Sequence, residues 1–577
     1  MLTLLIDSQP VTLPEDFTLE IHRENPLFFR SGDYTYDIEL SLLDPDNRRL
    51  YDHIDRIQHT TSISHRSAVL IEGDTVLLNG TEAVLEKTGD TVKIQIVAGN
   101  AELNYLTGDE TRIRSLNFGT VPTPTAAGAL AIANNTFPQS NHVFPPAIKK
   151  YNFEEDTASE FINELDSVYD DTIAYKDDPD QLRPMPFFLY ILETFIRLMG
   201  YTLTSNPYRN IDKWKRLLII HGYDTLEYAK MLPDWTTAEF VEEVEKFLNC
   251  IILVDPITKE CQLVSIPDFY ASKPIAYIDN IVDDFDIAFD ANDDHFFITY
   301  ENLSYKLPSG TYWKYARLSK DVWELCTKVP GTPSTVDPSQ VEDTDAFIVY
   351  DDISHLLFFV CYDTHRSISR YIFREVQQYR DYIRNPNSPK VEFRIIPCEL
   401  HSQIYMEIAF GRTYALYPYP AFFEQTEQVG LHEAITGGVS DSASDIMQVA
   451  FYTGIMPFFL ESGGSTSRQV SPQCFCNRCS INDERYTTYI LDQYVPGAQN
   501  MNLSFHGTHG RVAEDFQSNY SIDTTHKRTI RFISDKYIDP VSIFQIQNKR
   551  YACRELKYTF KNGQRSNIVE GIFYPIS

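Results

Sequence analysis

The sequence predicts a multidomain, β-rich α+β protein in which barrel-like β domains flank a smaller α+β module. Three observations carry that expectation. Short apolar runs broken by Gly and Asn pairs dominate both ends of the 577-residue chain. A helix, strand, turn, strand pattern lies between them. Phe and Tyr number 36 each, and aromatic side chains favour strands and extensive protein contacts.

Residues 1–120 read as a β-meander or split barrel. Ser67 to Ile71, Thr75 to Leu78, Ala83 to Lys87 and Thr91 to Val97 are short strands, and Tyr34 to Leu42 adds another. Gly73-Asp74, Asn79-Gly80, Gly89-Asp90 and Gly99-Asn100 are the expected turns. Residues 121–150 carry almost no charge and are rich in Pro, Ala, Thr and Asn, so a linker or extended arm is expected there.

Residues 151–270 are the α+β module. Thr157 and Glu160 have capping-box spacing, and Phe161, Ile162, Leu165, Val168 and Tyr169 follow with helical spacing. Pro186 to Met199 is a second helix, apolar nearly all round and stopped by Gly200. A third starts at Thr236 with Glu239 three residues on, and Trp235 and Phe240 occupy the staple positions. Cys250 to Val254 and Cys261 to Ile266 then form two strands around Asp255-Pro256. Residues 271–577 form the β-rich C-terminal region, with strands expected at Phe296 to Tyr300, Ala346 to Tyr350, Leu356 to Tyr362, Val391 to Ile396 and Thr529 to Ile533. It closes on a hairpin from Ile543 to Tyr558, followed by Tyr558 to Phe560 and Ile568 to Tyr574 around Asn562-Gly563.

Charge narrows the function. Fifty basic residues against 81 acidic ones leave a net charge of -31. Stable duplex nucleic-acid binding needs phosphate-neutralising Lys and Arg, so it is not expected, nor is an anionic membrane surface. The opening MLTLLIDSQP lacks the basic start of a signal peptide, and its apolar run ends at Asp7. Stretches such as Leu356 to Tyr362 are too short to cross a bilayer. Nine Cys residues imply no disulfide framework and fit synthesis in a reducing cytoplasm.

Four motifs invite a chemical reading. Cys474, Cys476 and Cys479 form a CxCxxC cluster and are the candidate metal ligands. Zinc wants four ligands, and the nearest later ones are His506, His509 and Cys553. Free thiols on a loop, or a disulfide formed after release from the cell, are the alternatives. His506-Gly507-Thr508-His509-Gly510 looks like the histidine motif of subtilisin-type proteases, but no Gly-Thr-Ser follows to supply a nucleophile, which leaves a Gly-rich loop with two His. Asp290, Asn292, Asp294 and Glu301 have EF-hand spacing, yet position six is His295 where that loop needs Gly. From Glu154 to Asp180 eleven carboxylates accompany one Lys, a pattern read as a solvated acidic face. No phosphate-binding loop, dinucleotide fingerprint or zinc-protease motif is present, so no cofactor and no catalytic residue is expected.

Several blocks resemble a family of tail proteins from phages and prophages of Bacteroidota. Phe28-Phe29 leads to Asp37-Ile38-Glu39-Leu40 and Asp46-Asn47-Arg48-Arg49-Leu50. Phe188-Leu189-Tyr190-Ile191-Leu192 leads to Leu198-Met199-Gly200-Tyr201-Thr202, then Lys215-Arg216-Leu217-Leu218-Ile219-Ile220 and Leu232-Pro233-Asp234-Trp235-Thr236. Lys549-Arg550-Tyr551-Ala552-Cys553 precedes Asn562-Gly563 and Gly571-Ile572-Phe573-Tyr574. The similarity covers blocks of the first 270 residues and the last 40, not 300–520. It implies a baseplate-hub or tail-tip protein in the virion, a homotrimer with barrel-like domains around the DNA-ejection channel. Such a hub joins the tail tube or distal tail protein to spike, fibre or receptor-binding proteins. The rival expectations are a tail-associated hydrolase of cell wall or glycan, with its activity in 300–520, and a host-glycan binding module.

Overall fold

The computed structural model describes residues 2–29, 32–54, 65–108, 111–152, 157–165, 174–176, 178, 181–282, 286–289, 303–306, 346–351, 356–363, 370–375, 391–404, 416–421, 445–462, 465–471, 475–476, 501, 503, 505 and 510–577. It is a β-rich α+β structure with several sheets, the largest of 14 strands.

The N-terminal meander forms as the sequence predicts, because its strands alternate inward and outward. Thr91–Ala98 alternates half-buried and buried at every step, the period of a strand with one face on a core. Gly73 and Gly89 take positive φ at two-residue turns between Ser67–Glu72, Thr75–Thr88 and Thr91–Ala98. Asn79-Gly80 is not a turn. It lies inside Thr75–Thr88, where a Cβ on Gly80 would sit 1.9 Å from the Val97 carbonyl oxygen. Glycine is needed there because two backbones meet, not because the chain reverses.

The last strands of the chain belong to this same sheet. Thr18–Glu24 pairs antiparallel with Lys549–Lys561, from Thr18 opposite Lys561 to Glu24 opposite Glu555. Asn562 and Gly563, both with positive φ, turn Lys549–Lys561 into Gln564–Pro575. His526–Ile533 and Asp286–Phe289 continue the sheet. One core under it mixes Leu4, Ile21, Leu40 and Ile94 from the first hundred residues with Leu556, Tyr558, Phe560 and Phe573 from the last thirty. No pairing among the described strands closes the sheet into a barrel. Ile275–Ile278 runs parallel to Ile543–Ile546, while Ile281 bridges to Phe532 and Asp286–Phe289 pairs with His526–Thr529.

A second core gathers the middle of the chain. The helix Phe188–Leu198 is buried along most of its length. It stops as predicted at Gly200 (φ +87°): the Gly200 and Tyr201 amides donate to the Arg197 and Ile196 carbonyls, a Schellman end. The helix Thr237–Leu248 begins with the expected capping box. The Glu239 amide donates to the Thr236 hydroxyl and the Glu239 carboxylate accepts from the Thr236 amide. Cys250–Val254 and Glu260–Ser265 follow as an antiparallel pair. Leu217–Ile220, buried throughout, pairs with Met447–Tyr452, which also carries Ile395–Pro397.

Two expectations differ from the structure here. Thr157–Ile162 is a strand paired with the preceding strand Ala147–Asn152, not the start of a helix, so strand pairing overrides the helical spacing. Within 121–150, where a linker or arm was expected, Val121, Ala129, Ala133, Phe137, Val143, Phe144 and Ala147 are buried in the chain's own core. An uncharged segment is what a core can absorb without desolvating charge.

Candidate functional site

A gathering of interacting ionisable side chains lies on the composite sheet at the seam between Thr18–Glu24 and Lys549–Lys561. Alternate residues of a strand share a face, so Glu20, His22 and Glu24 look out together, opposite Thr559, Lys557 and Glu555. Tyr34, from Asp33–Thr35, stacks on His22 with ring centroids 5.2 Å apart, and Tyr36 lies against the same imidazole at 5.2 Å. His22 Nδ1 hydrogen-bonds to Glu555 Oε1, and Lys557 Nζ meets Glu20 Oε2 at 2.9 Å. The Tyr34 hydroxyl donates to Glu24 at 3.2 Å. Burial, with the charge of Glu555 added, pushes the Glu24 carboxyl up to about 7. The hydrogen bond from His22 holds the Glu555 carboxyl below the usual range. On the opposite face Arg23 Nε donates to Asp33 at 2.8 Å over the core.

A second polar centre is internal. Arg511 is fully buried and its guanidinium is 3.2 Å from Asp515, which also holds Lys213 Nζ at 2.6 Å. Five aromatic rings surround it, those of Phe247 and Phe516 nearest at 4.4 and 5.2 Å. Each of the three guanidinium nitrogens has a protein acceptor, and the bond to the Phe247 carbonyl ties the short helix Arg511–Glu514 to the helix Thr237–Leu248.

The surface offers an apolar strip as well. Ile275, Tyr277, Val282, Ile287 and Ile533 are exposed along strands at the end of the composite sheet, Tyr277 at 64%. Strand edges with uncovered apolar side chains are natural places for another chain to add.

Most of the motifs singled out by sequence fall outside the described residues. Cys474 and Cys479 lie outside the described residues. Cys476 is described only in its backbone, which pairs with Phe451. His506, His509 and the stretch Asp290 to Glu301 also lie outside the described residues. Cys553 is buried in Lys549–Lys561, its thiol turned toward the Glu555 carbonyl at 3.3 Å. Among the described residues no group of three or more His, Cys, Asp or Glu is arranged to hold a metal, and no helix is long and apolar enough to cross a membrane. Of the acidic run, Glu164 pairs with its one Lys, Lys176, at 2.5 Å. Sequence reasoning missed the seam cluster altogether. Glu24 and Glu555 are 531 positions apart, and no local signal marks them as opposite each other.

No known protein family matches the sequence, and no curated protein matches it. Solved structures of tail proteins are similar to it. One is the 43 kDa tail protein of prophage MuSo2 from Shewanella oneidensis, aligned over 99% of this chain and 97% of its own at 7% identity, with a TM-score of 0.31. Another is a tail protein from Neisseria meningitidis MC58, aligned over 100% of this chain and 96% of its own at 6% identity, with a TM-score of 0.31.

Proposed function

We propose that this chain is a structural protein of a phage tail, a baseplate-hub or tail-tip component made in the bacterial host cytoplasm and built into the virion, and not an enzyme. The observation that supports it most is where the blocks resembling Bacteroidota phage tail proteins meet. Phe28 of the first block packs on Tyr574 of the last, with ring centroids 5.3 Å apart. Arg554, next to the last block, lies over Phe29 at 4.5 Å. The middle blocks likewise share one core, where Phe187, just before the first of them, bridges to Leu218 and where Leu189, Leu192, Leu217 and Trp235 are all buried. Residues that carry a family's pattern are expected to be those that build its fold, and here they hold each other.

In this reading the protein is a homotrimer whose sheets line the ejection channel. Its acidic surface keeps passing DNA from sticking, since like charges repel phosphate. The barrel-like domains of this reading draw support from Ile275–Ile278 pairing with Ile543–Ile546 while Asp286–Phe289 pairs with His526–Thr529. Neighbours in the tail would be the tube or distal tail protein on one side and spike, fibre or receptor-binding proteins on the other. Purified particles from the genome encoding this chain test the reading. Electron microscopy is expected to place three copies at the tail end far from the capsid. A chain missing from the particles, or present only in the capsid, overturns it.

A further inference from the structure

We propose that the seam joining the two ends of the chain is a proton-operated latch, in which Glu24 and Glu555, opposed across paired strands, together hold one proton whose loss loosens the pairing of Thr18–Glu24 with Lys549–Lys561. The inference does not depend on the tail assignment.

The geometry comes first. Glu24 and Glu555 are register partners in an antiparallel pair, so their Cβ atoms are about 5 Å apart, a distance at which two like charges destabilise the pair. The surroundings treat the two carboxylates differently. Glu555 accepts a hydrogen bond from His22 Nδ1, which favours its ionised form. Glu24 accepts from the Tyr34 hydroxyl at 3.2 Å, but it is more penalised by burial and by the charge facing it. Two neighbouring carboxyls pushed in opposite directions divide the roles of proton holder and anion. Glu24 therefore keeps the proton, with its midpoint at about 7, and Glu555 stays ionised.

Every element packed around the pair contributes to the field. Glu20 and His22 come from the same strand as Glu24, and Tyr34 and Tyr36 from the neighbouring one. Arg554 and Lys557 share the strand of Glu555, and Glu570 lies opposite Lys557 on the next. His22 Nε2 is buried without a hydrogen-bond partner, 3.7 Å from Glu20 Oε2. The charges of His22 and Arg554 favour the ionised form of Glu24, and burial together with the charge of Glu555 outweighs them.

The sign follows from the direction of the Glu24 shift. Its folded midpoint lies above its unfolded one, so its contribution to the seam is full below about pH 4.5 and is lost as pH rises through about 7. A single proton changes an opening equilibrium by at most about tenfold per pH unit.

Hydrogen exchange on the full chain, followed from pH 5.5 to 8.5 and corrected for intrinsic exchange, reads the seam directly. In the unmodified protein, amides of 18–24 and 553–561 are expected to open more as pH rises, by up to about tenfold per unit around neutrality, and then level off. In Glu24→Gln, which keeps the shape and cannot ionise, that rise disappears, while amides of Thr237–Leu248 follow the same profile in both proteins. Glu555→Gln removes the opposing charge that helps hold the Glu24 proton, and its seam is expected to show a weaker rise that levels off at lower pH. The same seam profile in all three proteins overturns the proposal.

Discussion

Replacing Arg511 by Met tests the physical account of the middle core. The guanidinium makes three hydrogen bonds, to the Phe247 carbonyl, to the Tyr305 hydroxyl at 3.4 Å and to Asp515 at 3.2 Å. Methionine fills most of the same volume, so the cavity contribution is small. Asp515 is not stranded, because Lys213 remains 2.6 Å away. What is lost is a donor for the buried Phe247 carbonyl, worth about 1–3 kcal/mol, and the cation's contact with the rings, worth about 2 kcal/mol when desolvated. Against this, the cost of keeping a guanidinium out of water disappears. The balance is a loss of about 2–3 kcal/mol, less than the roughly 3–5 kcal/mol for abandoning a buried charge outright. Denaturant unfolding followed by tryptophan fluorescence measures it, since the Trp214 ring lies 5.9 Å from the guanidinium. A midpoint and slope equal to those of the unmodified protein, within about 0.5 kcal/mol, would refute the reasoning: desolvation would then cancel all three bonds.

Other perturbations have definite outcomes. Gly80→Ala forces a methyl against the Val97 and Ala98 backbone and is expected to cost about 3 kcal/mol, whereas Gly73→Ala, with open space but positive φ, costs about 1 kcal/mol; thermal unfolding compares them. Thr236→Ala removes the hydroxyl cap and should lower stability by about 1 kcal/mol in the same assay. His221 is held neutral, with burial pushing it down to about 4 while its ring donates to the Pro184 carbonyl and accepts from the Tyr223 amide. Because its folded value lies below its unfolded one, its contribution is full above about pH 6.5 and is lost as pH falls toward 4. The urea midpoint of His221→Gln should therefore change less than that of the unmodified protein between pH 7 and 5. Tyr277→Asp with Ile287→Asp, on the exposed strip, should leave the melting temperature unchanged and reduce incorporation into tails, measured by particle composition; unchanged incorporation would remove that strip from the assembly.

Local chemistry wrote part of this structure into the sequence. The stop at Gly200, the capping box of Thr236 and Glu239, the turn at Asn562-Gly563 and the alternation in Thr91–Ala98 depend on residues a few positions apart, so period and spacing expose them. The β-rich α+β class followed from the same signals. Tertiary structure decided the rest. Thr157–Ile162 became a strand because Ala147–Asn152, itself paired at Ile148 with the distant Ala421, pairs with it, and Gly80 sits mid-strand because Val97 approaches it. The nearly uncharged segment 121–150 entered the core, where Phe137 and Phe144 are buried. Above all, the pairing of Thr18–Glu24 with Lys549–Lys561 put His22, Glu24 and Glu555 on one face. A strand carries no mark of its partner beyond polarity and period, so a contact across more than five hundred residues is settled only when the whole sheet finds its lowest free energy.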